Sequence, residues 1–240
     1  MQDATLATTT VDAPALVPEA VLWDMDGTII DTEPYWIASE LALVTEHGGA
    51  WSHAQGLELV GMDLLDSAAV LQEHGVALTG QEIAEDLTRR VAAMLADEVP
   101  WRPGAAELLA ELRAHGVPCA LVTMSYRAMV DHLLAALPDG TFDVVVTGDE
   151  VERGKPDPEP YLRAAALLGV DVARCVAIED SRPGVASALA SGAATIAVRG
   201  HVPVAQHPGL SRVRSLETLD LGLVGHVLAG GIVDDLGDDA

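Results

Sequence analysis

From residue 104 onward the chain repeats one pattern, a helix-like segment followed by a short uninterrupted apolar run. Gly104–Gly116 sets Leu108, Leu109 and Leu112 on one helical face and leads into the apolar run Val117–Thr123. Ala128–Leu137 then precedes Phe142–Thr147, Pro158–Leu168 precedes Arg174–Glu179, and Pro183–Ser191 precedes Ala193–Arg199, with Val213–Leu216 as a last short strand. A strand that is apolar at every position is buried on both faces, which is the condition of a parallel sheet sandwiched between helices. The fold expected is α/β, a Rossmann-like doubly wound parallel sheet.

The first strand of that sheet is supplied by Glu19–Trp23, and the segment after it is different in texture. Residues 34–100 show helical periodicity (Trp36, Glu40, Leu43, Val44, His47; then Leu64–His74; then Gln81–Glu98) and no convincing strand. They read as an inserted all-helical cap domain, leaving 18–33 and 101–230 as the core. Trp101-Arg102-Pro103-Gly104 is the return hinge, since Pro and Gly punctuate the chain there. Residues 1–17, rich in Thr and Ala, read as a flexible arm, and 231–240, with Asp234, Asp235, Asp238 and Asp239, as a disordered acidic tail.

Composition removes several functions. A formal charge of −24 excludes nucleic acid and anionic membrane as partners, because both require basic surface. No apolar run reaches the roughly 18–20 residues that span a bilayer, and the first residues lack the basic start and apolar stretch of a secretory signal. Cys119 and Cys175 both fall in buried strands and form no disulfide framework, so a cytoplasmic protein is expected. The eight histidines show no ligand spacing, which argues against a zinc site. Trp36, Trp51 and Trp101 are assigned to packing of the cap and hinge, and Arg127 to an exposed first turn.

The chemistry sits at strand ends. In open α/β sheets ligands bind beyond the carboxyl ends of the strands. There the first strand runs into Asp24-Met25-Asp26-Gly27-Thr28, another into Thr123, and a third into Glu179-Asp180. The chain has a single lysine, Lys155, in Gly154-Lys155-Pro156-Asp157-Pro158. Paired carboxylates at the end of a buried strand are costly to desolvate without a cation or a reaction. A lone amine and a hydroxyl nearby complete what phosphoryl transfer needs.

Over essentially residues 19–230 the chain resembles the haloacid dehalogenase-like (HAD) superfamily. Its first motif, Asp-x-Asp-x-Thr, stands as Asp24, Asp26 and Thr28, its second as Thr123, its third as Lys155 and its fourth as Glu179-Asp180-Ser181. The resemblance implies that Asp24 attacks phosphorus to give an aspartyl phosphate, while Asp26 protonates the leaving oxygen and then deprotonates water. It implies a magnesium ion held by the Asp24 and Asp180 carboxylates and the Asp26 carbonyl, with Glu179 as ligand or outer acceptor. Lys155 offsets charge and Thr123 orients phosphoryl oxygens.

The helical insert resembles the small-cap subgroup of sugar-phosphate phosphatases and β-phosphoglucomutase. Against the mutase, Leu64 stands after Gly61-Met62-Asp63 where the mutase carries a phosphate-gripping arginine, Trp36 replaces its histidine, and Thr28 its valine. Hydrolysis of a small phosphomonoester, a sugar or polyol phosphate, is therefore expected over mutation. Glu33, Asp63, Met124 and Ser125 are the candidates for the non-phosphate end, where carboxylates suit hydroxyl-rich leaving groups and repel acidic ones. A receiver-type phospho-acceptor lacks this spacing and length. An inert HAD-like binding protein would have lost one of the acidic or lysine positions, and none is lost. A monomer or weak dimer is expected.

Overall fold

In the computed structural model, residues 16–237 are described. Six strands, β1 (Ala20–Trp23), β2 (Cys119–Val122), β3 (Val144–Val146), β4 (Cys175–Glu179), β5 (Ala194–Val198) and β6 (Leu210–Val213), form one sheet in the order β3-β2-β1-β4-β5-β6. All neighbouring pairs are parallel, for example Trp23 with Leu121 on one side and Ile178 on the other. The order reverses at β1, so the crevice between β1 and β4 is the topological switch point where such sheets bind ligands.

The expected alternation sorts the sheet into two layers. Ala20 and Leu22 pack with Ala120, Val122 and Tyr161 on one face, while Val21 and Trp23 pack with Leu108, Leu112, Met129 and Val224 on the other. With no aromatic excess, this core is built from Ala, Val and Leu on β-branched or small strand positions.

The insert is helical throughout, as its periodicity implies: α1 (Glu33–Glu46), α2 (His53–Leu59), α3 (Leu64–Glu73) and α4 (Gly80–Asp97). Its helix starts are written in the sequence. Ser52 and Thr79 each open a capping box, with Gln55 and Glu82 reaching back, and Asp63 accepts from Leu65 N at 2.8 Å. The core helices α5 (Ala105–Ala114), α6 (Arg127–Ala135), α7 (Glu159–Leu168) and α8 (Arg182–Ser191) connect successive strands, within a residue or two of the boundaries the periodicity gives. A last helix, α9 (Leu221–Leu228), lies against β4 and β5.

Two expectations are corrected, and one helix was not foreseen. The last strand is Leu210–Val213, and Leu216–Thr218 is a 3-10 turn. Ser211 and Arg212 hide the strand from an apolar-run criterion, yet both are buried. Residues 231–237 of the segment read as a disordered tail are docked: Arg212 N donates to Val233 O at 2.7 Å, Asp235 N to Arg212 O at 3.0 Å, and the Arg212 guanidinium pairs with Asp234 at 2.8 Å. Finally α9 carries Gly222 and Gly225, which lower its intrinsic helix preference and concealed it; burial of Val224 and Val227 overrides that cost. Of the expected N-terminal arm, residues 1–15 lie outside the described residues, as do Asp238 and Asp239. Among the described residues no helix is long and apolar enough to cross a membrane.

Candidate active site

Asp24 follows β1 directly, its amide donating to Ile178 O of β4 at 3.0 Å, so the sheet itself holds the residue at the switch point. The next turn needs Gly27, whose φ of +84° is left-handed and whose α-carbon faces Asp180: a Cβ there would lie 2.1 Å from Asp180 Oδ2. Gly200, beyond β5, closes on the same carboxylate, with a Cβ reaching 2.3 Å from Oδ2. Two glycines thus make room around one buried acid.

Lys155 is 3% exposed and its ammonium is clasped by two carboxylates, Asp24 Oδ1 and Glu179 Oε1, each at 2.6 Å; it also donates to Val122 O at 2.9 Å. Burial alone would depress this amine, but the two carboxylates beside it raise it above the ordinary lysine range, so it is a fixed positive charge. Its backbone is anchored too, Lys155 N donating to Met124 Sδ at 3.2 Å.

The four carboxylates are treated differently. Glu179 is saturated: Oε1 accepts from Lys155 and from Tyr161 Oη at 2.9 Å, while Oε2 accepts from Asp180 N, Ser181 N and Ser181 Oγ at 3.0, 3.1 and 3.1 Å. Gly184 approaches that carboxylate so closely that a Cβ would lie 1.7 Å from Oε1. Asp24 keeps Oδ2 buried with no hydrogen-bond partner among the described residues. Burial raises it to about 7, Glu179 adding to the shift and Lys155 opposing it. Asp180 is raised well above the carboxylate range by burial, then by Asp24 and Glu179, and accepts only from Thr28 Oγ1, at 3.2 Å. Asp26 accepts four hydrogen bonds, from Thr32 Oγ1 (2.5 Å) and Trp36 Nε1 (3.1 Å) on Oδ1 and from Ser125 Oγ (2.6 Å) and Thr123 Oγ1 (3.1 Å) on Oδ2.

Asp24, Glu179 and Asp180 each offer a carboxylate oxygen within 4.8 Å of the others. A cation fits here on two counts: hard oxygen donors, and a buried oxygen on Asp24 that no group among the described residues satisfies. With both Glu179 oxygens already taken by donors, Asp24 and Asp180 have the free capacity.

The cavity in front of these groups, about 60 Å³, is lined by Asp24, Asp26, Thr123, Ser125 and Lys155 from the core and by Glu33, Trp36, Glu40 and Met62 from the insert and its entry. Thr123, Met124, Ser125 and Glu33 of the sequence candidates line it; Asp63 caps α3 beside Gly154 and is not among the lining residues. Trp36 is more than packing, since it donates to Asp26, and Trp51 donates to Glu40 at 3.1 Å. Arg127 pairs with Glu150 at 2.8 Å, in keeping with its surface assignment. Thr32, Tyr161 and Glu40 escaped the sequence reading as site residues, and Ser181 entered it only as the end of the fourth motif. The four-residue spacing of Thr32 and Trp36, which puts both on one helical face toward Asp26, was the available signal.

Comparison with known proteins places this geometry. The haloacid dehalogenase-like hydrolase family model matches residues 21–198, the span from β1 to β5. Hexitol phosphatase A of Escherichia coli (strain K12) is 35% identical over 185 residues, covering 74% of this chain and 81% of that protein. The bifunctional riboflavin kinase/FMN phosphatase of Arabidopsis thaliana is 34% identical over 182 residues, which span 74% of this chain and 48% of that protein. The crystal structure of CbbY from Rhodobacter sphaeroides in complex with phosphate superposes with a TM-score of 0.77 at 29% identity, covering 84% of this chain and 96% of that one. With the motif carboxylates and lysine assembled at the switch point of a matching sheet, the chain belongs to the haloacid dehalogenase-like hydrolase family.

Proposed function

We propose that the protein is a magnesium-dependent phosphatase of small phosphomonoesters, sugar or polyol monophosphates, acting through an aspartyl phosphate on Asp24. The observation that carries it is the clasp of Lys155 between Asp24 and Glu179 beside an Asp24 oxygen left buried and unpartnered. One Asp24 oxygen is thereby fixed and neutralised, and the carboxylate is aligned to attack phosphorus in line. Asp24, Asp180 and the Asp26 carbonyl would hold the magnesium, which when bound neutralises developing charge on the phosphoryl oxygens.

Asp26, oriented by Thr32, Trp36, Thr123 and Ser125, transfers a proton to the leaving oxygen and then takes one from the water that hydrolyses the aspartyl phosphate. Glu179 positions Lys155 and is itself positioned by Tyr161, Ser181 and two backbone amides. The leaving group faces Glu33 and Glu40. Glu33 accepts no hydrogen bond among the described residues, so a hydroxyl-rich group supplies donors that the protein withholds. Lys155 is the only basic residue among those lining the cavity, and a second phosphate therefore finds no cation there. That supports hydrolysis over mutation, as does the likeness to a hexitol phosphatase.

The test is inorganic phosphate release from hexitol, sugar and nucleotide monophosphates and phosphoglycolate, with and without magnesium, for the wild type and Asp24→Asn. Release requiring both magnesium and Asp24, fastest on hexitol or sugar phosphates, is expected. Absence of release from every compound by folded protein would overturn the reading.

A further inference from the structure

A second concentration of charge lies at the hinge. Arg102 on the return limb, Arg199 at the end of β5 and Arg214 after β6 line one open cleft of about 340 Å³ that has no carboxylate in its wall. Among the described residues none of these three guanidiniums forms an ion pair, whereas six of the other nine arginines do. The nearest acid in sequence, Glu217, already accepts from Ser215 Oγ at 3.1 Å. In a chain with 37 acidic residues against 13 basic ones, three arginines line a cleft whose wall holds no carboxylate.

The cluster is held by the fold. Arg102 is partly buried and its guanidinium donates to the Arg199 backbone carbonyl, which fixes it in the wall it shares with the Arg199 and Arg214 guanidiniums. Their mutual repulsion falls when an anion sits among them. The overall charge of −24 repels anions at long range, so a local cluster is what can retain one. Planar guanidinium forks match phosphoryl oxygens in pairs.

The position gives such an anion leverage. Both chain crossings between insert and core run beside the cleft: Arg102 N donates to Ile29 O at 2.9 Å, Asp31 N to Pro100 O at 2.7 Å, and His201 contacts Asp31 at 2.6 Å. Gly200, another lining residue, packs directly on Asp180.

We propose that this cleft is a second anion site, distinct from the cavity at Asp24, which takes a phosphoryl group and by bridging Arg102 to Arg199 and Arg214 stiffens the hinge of the helical insert. The experiment is calorimetric titration of the full-length, magnesium-loaded chain with inorganic phosphate and, separately, with a non-hydrolysable hexitol phosphonate. It is run on the wild type, Arg199→Ala/Arg214→Ala and Arg199→Gln/Arg214→Gln. Two phosphate sites are expected in the wild type and one in both double variants, with kcat/KM within about twofold of the wild type. Free phosphate as the natural occupant gives a second site for phosphate alone; a phosphorylated metabolite gives it for the phosphonate as well. Hydrogen exchange of residues 29–31 and 100–103 should slow with phosphate in the wild type and not in the variants. A phosphate stoichiometry that is the same in the double variants as in the wild type overturns the proposal. Because the readout is binding, it holds or fails whether or not the phosphatase reading does.

Discussion

Lys155 and its two carboxylates form a triad in which each member is tolerable only because of the others. Replacing Lys155 with Met leaves Asp24 and Glu179 buried without their cation, and breaking a buried pair in this way costs about 3–5 kcal/mol. Lys155→Met should therefore lower the urea midpoint and abolish phosphate release together, measured by denaturation and a phosphate assay. Glu33 behaves in the opposite sense. Burial raises it from 4.5 to about 8, Glu40 contributing next. An acid whose folded pKa lies above its unfolded value binds its proton more tightly when folded, so its effect is a loss of stability as pH rises from about 4.5 to 8. Glu33→Gln removes that loss: unfolding curves should coincide with the wild type near pH 4 and show the variant more stable above pH 8, by on the order of 1–4 kcal/mol. Coincident curves at both pH values would contradict the burial argument. Most of the candidate catalytic positions were legible in the sequence because they sit at strand ends in fixed spacing. Thr32 and Tyr161 were not, since a hydroxyl that supports a carboxylate has no spacing signature of its own and is identified only once topology sets it beside Asp26 or Glu179.

Among elements, the turn between α2 and α3 makes a close contact between insert and core. Gly61 has φ +76°, and a Cβ there would lie 2.5 Å from Ser181 Oγ, at the start of α8. Gly61→Ala should hold the insert away from the core. A KM raised at least about tenfold is expected, with an unfolding midpoint that moves little because the two hydrophobic layers are untouched; an unchanged KM would show that the contact is not needed. Gly225 in α9 meets the Leu16 carbonyl, a Cβ lying 2.1 Å from it, so Gly225→Ala gains helix propensity yet loses on the order of 1–3 kcal/mol to the clash, read as a fall in Tm. The parallel core was readable because burial on both faces leaves unbroken apolar runs. By contrast β6 and the 231–237 segment depend on the pairing of buried Arg212 with a partly exposed Asp234, and long-range ion pairing of that kind leaves no periodic trace along the chain.

Across the whole molecule, the cavity of about 60 Å³ is well below the roughly 300–1,000 Å³ of pockets that hold drug-sized ligands. For the proposed substrate to enter, the insert would have to swing outward on its two crossings, near 30–33 and 99–103. A net charge of −24 on such a molecule produces self-repulsion that salt screens, the Debye length falling to about 8 Å at 0.15 M. Thermal melts should move upward as sodium chloride is raised from low ionic strength to that level, and a flat response would mean the acidic surface is already neutralised. The solitary lysine has a consequence for chemical labelling. Apart from the α-amino group, Lys155 is the only primary amine in the chain, and it is enclosed in the catalytic core. Reductive methylation of the native protein should therefore stop at the amino terminus, and the slow arrival of further methyl groups, read by mass spectrometry, times each opening of that core without any probe having been engineered into it.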